Sequence, residues 1–262
     1  MYQPAHGRFG VADPAALLAE LAATTPATLV TAGRHGFDTS VLPMLFEQTE
    51  GSLGVLRGHL ARPNAQWTFA ATGDATSLAV AIFHGPDAYV SPSLYEEKAR
   101  TGRVVPTWNY VVVVAHGVLI VHDDPAWIEA HVRTLVDRHE RGRMTPWSID
   151  DAPDGYIRGQ AKGIVGLELR IERLEAKRKL SQNRGAGDVT AVIEAFSAGT
   201  PGERAVGAAM RTPLGPMGPA DPASTAGPSD SVDPASTVGP SDPVGPVDPV
   251  LHSRPHGTDR EE

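Results

Sequence analysis

Apolar positions recur with two different periods up to about residue 210, and the switches between the periods mark the elements. Asp13-Pro14 reads as an N-cap followed by proline at the first helical position, opening a short helix with Leu17, Leu18 and Leu21 inward. β-type runs follow at residues 27–32, 39–47, 53–60 and 77–83. Gly33-Arg34-His35-Gly36 and Thr49-Glu50-Gly51 separate the first three, and His84-Gly85-Pro86 closes the fourth. Residues 109–121 carry the strongest strand pattern, β-branched throughout at Val111, Val112, Val113 and Val114. Gly117 within it predicts a bulge or a close backbone approach. Asp124-Pro125 then starts a helix to about Arg141, with Trp127, Ile128, Val132, Leu135 and Val136 at helical spacing. A short helix at 153–162, a long final strand at 164–174, and helices at 188–196 and around 203–210 complete the pattern.

About six strands with three or four peripheral helices, at spacings too short for helical crossovers, predict a mainly β fold. The pattern suggests a small antiparallel β-barrel, and one with an open side would often dimerise.

Composition shortens the folded body. Residues 212–262 hold 11 of the 23 prolines and no Phe, Tyr or Trp. Within them Asp221-Pro222-Ala223-Ser224-Thr225-Ala226-Gly227-Pro228-Ser229-Asp230 recurs almost verbatim from Asp233 to Asp242. Such a segment cannot bury enough apolar surface to offset its ordering entropy, so a disordered tail is expected after a domain spanning 1–211. The tail's 8 acidic and 2 basic residues account for six of the eight net negative charges, which leaves the body at −2. A nearly neutral body does not predict direct DNA binding, which draws its affinity from neutralised phosphates. The absence of cysteine excludes disulfides, thiolate catalysis and cysteine-ligated metals. The first 20 residues lack the pattern of a signal peptide, and no apolar run spans a bilayer, so a cytoplasmic protein without a membrane role is expected.

Three segments carry candidate chemistry. Arg57-Gly58-His59-Leu60-Ala61-Arg62-Pro63-Asn64-Ala65-Gln66-Trp67 leaves a strand and enters a helix. Free N–H groups at that helix start and the guanidinium of Arg62 suit an anion, and His59 suits a phosphate or a metal. Alone, either residue reads equally as a rim histidine and a surface arginine. The second segment runs from Phe83 to Tyr95 and on to Val105-Pro106-Thr107-Trp108-Asn109-Tyr110. Its aromatic, hydroxyl and amide groups suit a planar heterocycle, or simply two capped turns with Trp108 packing. The third, Glu175-Ala176-Lys177-Arg178-Lys179-Leu180-Ser181-Gln182-Asn183-Arg184, is the densest positive run. It reads either as a solvated strand end or as an anion clamp. Asp123-Asp124 is a helix start rather than a catalytic pair, and His131 and His139 are not spaced as metal ligands. No Walker, Rossmann or nucleophile-elbow motif occurs, nor a recognisable helix-turn-helix.

These segments together resemble the PaiB-like family of FMN-binding negative transcriptional regulators, within the FMN-binding split-barrel superfamily. The matching residues are Met1-Tyr2-Gln3-Pro4, Gly58 to Asn64 with Gln66-Trp67, Ile82 to Pro86 with Ala88 to Pro92, Val105 to Tyr110, Lys162 to Gly166 and Lys179 to Arg184. The chain departs from the family pattern at Asp87, Leu94 and Arg178. The resemblance implies a six-stranded antiparallel split β-barrel that forms a homodimer, with FMN bound at the dimer interface and His59, Arg62, Asn64 and Gln66 at its phosphate or flank. Thr107, Trp108, Asn109, Lys179, Gln182 and Asn183 would face it. It admits three roles: a regulator, an FMN-dependent oxidoreductase acting on a small molecule, or a haem enzyme of the piperazate synthase type forming an N–N bond in N-hydroxyornithine. In the last, the cofactor is haem b and His59 its axial ligand.

Overall fold

The apolar and polar alternation of residues 27–47 folds as three strands, where its pattern suggests two. In the computed structural model, which describes residues 1–2, 8–33, 36–71 and 77–212, helix α1 (Pro14–Thr24) leads into β1 (Ala27–Gly33) and β2 (Gly36–Leu42). After Pro43 and Met44 the chain restarts as β3 (Leu45–Glu47). It continues through β4 (Val55–Ala61), α2 (Gln66–Ala71), β5 (Leu78–Val90), α3 (Glu96–Thr101) and β6 (Thr107–His122). The remainder is α4 (Pro125–Glu140), α5 (Tyr156–Ala161), β7 (Ile164–Lys179), α6 (Ala186–Ser197) and α7 (Pro201–Arg211).

The seven strands form one sheet in the order β2-β1-β5-β6-β7-β4-β3, and every pairing is antiparallel. The expected six strands become seven because Pro43 has no N–H with which to continue a ladder. The halves of the 39–47 run take different partners, β2 pairing with β1 and β3 with β4, at opposite edges of the sheet. Only two residues join those edges, so the sheet must curl until they approach. β2 and β3 do not pair, and the barrel stays open.

Two more elements differ from the pattern. His84-Gly85-Pro86 is not a turn: β5 runs through it to Val90, and its pairing with β6 shifts between His84 and Asp87. A bulge absorbs Pro86, whose missing N–H would interrupt a regular ladder. β7 extends past Leu174 to Lys179 because β6 continues to offer partners, Val114 opposite Glu175 through Tyr110 opposite Lys179. Half of the basic run is therefore strand. Gly117 does mark a bulge, and a Cβ there would lie 1.8 Å from the Arg170 carbonyl oxygen.

Leu18, Leu29, Leu56, Phe83, Val113, Leu167 and Phe196 are sealed inside the core, each contributing about 1.5–3 kcal/mol by leaving water. The two starts read from sequence hold, with Asp13 accepting from Ala16 N and Asp124 from Trp127 N. Helix α4 buries Ile128 and His131, whereas Val132, Leu135 and Val136 remain half-exposed. Helices α6 and α7 form a hairpin whose second helix is packed down, with Val206 fully buried and the Ala209 carbonyl accepting from Arg178. No helix among the described residues is long and apolar enough to cross a membrane. The repeat segment lies outside the described residues.

Candidate functional site

The register of three strands builds the first half of the site. His59 on β4 and His122 on β6 both stand opposite Gly166 on β7, so two histidines flank a glycine on one face of the sheet. Trp127 of α4 sinks into the gap, and a Cβ on Gly166 would meet its ring at 2.1 Å. His122 stacks on Trp127 at 4.2 Å and Trp127 on His131 at 5.3 Å. His131 Nε2 then meets His59 Nδ1 at 3.2 Å. Two residues along β7, buried Glu168 accepts from Arg57 Nε at 3.0 Å and Arg170 Nε at 3.2 Å, with His122 Nε2 3.8 Å away.

Burial sets the charge state of this ladder. It lowers the His59 imidazole, and it pushes His131 down to about 4 with help from the charges of His59 and Arg57. His122 is lowered as well, burial outweighing the attraction of Glu168. Burial works to raise Glu168, but the hydrogen bonds from Arg57 and Arg170 overcome it and hold the carboxyl below its usual range. At neutral pH three neutral imidazoles therefore lie beside one ion-paired carboxylate. His131 Nδ1 and His122 Nε2 are buried without hydrogen-bond partners among the described residues.

The turn after β4 is committed to the fold. Arg62 spends four of its five N–H groups on the protein: two on Asp123, one on the Lys162 carbonyl and one on the Ile164 carbonyl. Asn64 donates to Ser40 and accepts from Gln66 N. Gln66, 3% exposed, donates to the Leu29 and Asp38 carbonyls and to Thr31. Trp67 Nε1 donates to the Arg62 carbonyl. The open guanidinium and free N–H groups expected there are instead a clasp joining β1, β2 and β7.

A second half lies at the far end of β7. Thr107, Asn109, Lys179, Ser181, Asn183 and Arg184 line a cavity of about 160 Å³ with Tyr95. Lys179 Nζ donates to Thr107 Oγ1 and to the Trp108 carbonyl at 2.5 Å. Asn109 is fully buried and exchanges hydrogen bonds of 3.0 and 3.1 Å with Ser181, whose φ of 66° places it in the left-handed region. The Arg184 guanidinium lies 4.3 Å over the Tyr95 ring, and Tyr95 Oη is buried with no partner among the described residues. Burial lowers the Lys179 ammonium, as do the charges of Lys177 and Arg184. Every charged group in this lining is a cation. Thr107, Asn109, Lys179 and Asn183 thus share one pocket. Trp108 does not join them: strand alternation puts it on the other face, exposed and edge-on to Tyr89. Gln182 turns back on its own loop, donating to the Arg178 carbonyl and accepting from Leu180 N.

The two halves do not meet within one chain. Gly166 and Lys179 are separated by 13 residues of β7, roughly 40 Å of strand contour. Sequence reasoning missed His122 and Glu168, did not single out Tyr95 and Ser181 within their candidate segments, and set His131 aside. The signal for His131 was its place on the apolar stripe of α4, beside Trp127 and Ile128.

Residues 1–173 match the model of the family described as "Putative FMN-binding domain". An uncharacterised Aspergillus fumigatus protein is 37% identical over 172 residues, 55% of this chain and 66% of its own length. The Bacillus subtilis protease synthase and sporulation protein PAI 2 is 33% identical over 154 residues, 58% of this chain and 69% of its own. The chain thus spans about two thirds of the length of these relatives. Among solved structures, the flavocytochrome Anf3 of Azotobacter vinelandii aligns with a TM-score of 0.47 at 13% identity, covering 68% of this chain and 72% of that one. An FAD and haem binding protein of Mycobacterium smegmatis aligns at 0.45 and 16% identity, covering 71% and 78%.

Proposed function

The chain belongs to this family of FMN-binding domains, and from that premise we propose that it is a flavin-binding redox protein. In this reading the FMN phosphate lies in the Tyr95–Thr107–Lys179–Arg184 pocket. The observation that carries it is the pocket's lining: two cations and, among the described residues, a Tyr95 hydroxyl without a partner and no carboxylate. A phosphate compensates the burial and the neighbouring positive charges that lower Lys179, and it gives Tyr95 Oη an acceptor. Bound FMN would supply the electron-transfer chemistry. The chain's own groups neutralise and orient the phosphate.

The test is a fluorescence titration of the full chain with FMN and with riboflavin, which lacks the phosphate. FMN is expected to bind at least about tenfold tighter, as two charge-assisted hydrogen bonds warrant. Joint replacement Lys179→Met and Arg184→Met should erase the preference while leaving riboflavin binding unchanged. Equal affinities in the unaltered chain would defeat the assignment.

The same reading includes a homodimer. A cavity of about 160 Å³ takes a phosphate but not an isoalloxazine ring, and the histidine half of the site stands at the other end of β7. Phe37 and Val41 on β2 and Leu78 on β5 are 79%, 70% and 56% exposed, an apolar surface of the kind that copies of a chain cover. A second copy brings its β4 end to the first copy's phosphate pocket. Sedimentation at the mass of one chain would refute this.

Two alternatives fare less well. A DNA-reading regulator finds little support in a body of net charge −2 and a second hairpin helix packed on the sheet; a specific gel shift at moderate salt would revive it. A haem enzyme needs His59 as iron ligand, and the visible spectrum of the purified protein, flavin bands or a Soret band, decides between the cofactors.

A further inference from the structure

We propose that His131 is a positioning residue that holds His59 as an Nε2–H donor. The end of β4 then offers a hydrogen bond to an acceptor oxygen of the cofactor, a carbonyl or a phosphate, rather than a lone pair to a metal. The inference rests on the flavin reading for its ligand and on the geometry of the pair for its chemistry.

His59 Nδ1 and His131 Nε2 stand 3.2 Å apart, within reach of one N–H···N bond. His131 is buried and His59 half-buried, and both are neutral near pH 7, so each carries one proton and only two arrangements fit. In the first, His59 donates from Nδ1. His131 must then carry its proton on Nδ1, and His59 Nε2 is bare. In the second, His131 donates from Nε2, its Nδ1 is bare, and the His59 proton sits on Nε2.

The surroundings of His131 choose between them. Its Nδ1 is buried with no hydrogen-bond partner among the described residues. The first arrangement would leave an N–H there without an acceptor, at a cost of about 1–3 kcal/mol. Stranded buried donors are rarer than under-used acceptors. The second leaves only a bare lone pair, and it uses the Nε2–H tautomer that free histidine side chains prefer. Trp127, locked over Gly166, stacks on the His131 ring and holds it in place. The second arrangement therefore prevails, and His59 carries its proton on Nε2. No group on β4 has to move for this: His131 acts across the gap from α4, through the Nε2–H that it donates to His59 Nδ1.

Nitrogen-15 imidazole spectra of the full, cofactor-free chain at neutral pH read the tautomers directly. His59→Gln and His131→Gln spectra supply the assignments. Both rings are expected as Nε2–H forms; a His59 ring with its proton on Nδ1 overturns the proposal. His131→Ala should release His59 into a tautomer mixture and weaken FMN up to about tenfold, the worth of one hydrogen bond. His131→Gln, whose amide N–H can still donate, should retain both the tautomer and the affinity, and it serves if the alanine variant fails to fold. In a His59→Ala background, His131→Ala should cause no further loss; an equal loss there would show a purely structural role. A chain that binds no FMN overturns the flavin reading alone, because the spectra still report the tautomer.

Discussion

Mild acid should destabilise this protein, and His131 is a leading reason. In the unfolded chain His131 takes up a proton as pH falls through its ordinary 6.5; in the folded chain burial holds it neutral down to about 4. Between those values the unfolded state binds the extra proton, so stability falls as pH falls and levels off below about 4. The gap corresponds to about 3 kcal/mol, a large share of the roughly 5–15 kcal/mol typical of a domain. His59 and His122, lowered in the same direction, steepen the decline. Urea midpoints measured from pH 7 to pH 4 on the unaltered chain and on His131→Gln provide the assay. The unaltered chain should lose about 3 kcal/mol more across this window, since surface carboxylates titrate alike in both proteins. Parallel curves would refute the assignment of His131 as a buried neutral imidazole.

Three other perturbations probe separate parts of the structure. Gly166→Ala inserts a methyl 2.1 Å from the Trp127 ring, so it should cost about 1–3 kcal/mol by overpacking and shift tryptophan emission to the red; an unchanged spectrum would mean that Trp127 is not seated there. Glu168→Gln deprives half-buried Arg57 of one of its two carboxylates and should cost about 1–2 kcal/mol at pH 7. That difference should vanish at a pH low enough to protonate Glu168, and persistence there would argue for packing rather than charge. Truncation after Arg211 should leave the melting temperature and flavin content unchanged, and a loss of either would assign the repeat segment a part in the fold.

Much of this molecule is legible in one dimension. Period-two alternation marked the strands, Asp-Pro pairs marked the starts of α1 and α4, and Gly117 announced its bulge, because each depends on neighbours within a few residues. The family motifs likewise named Thr107, Asn109, Lys179 and Asn183, four groups that do share one pocket. What tertiary structure decided was partnership. Pro43 alone could not say that its two sides pair at opposite edges of the sheet. Arg62 looked like an anion fork because Asp123, which occupies it, lies 61 residues away. His131 had no visible partner on its own helix, since the registers of β4, β6 and β7 bring His59 and His122 to it around Gly166. Local periodicity reports which way a side chain faces; which charge, ring or lone pair it meets there is set by strand order and register, and these depend on contacts made across the whole chain.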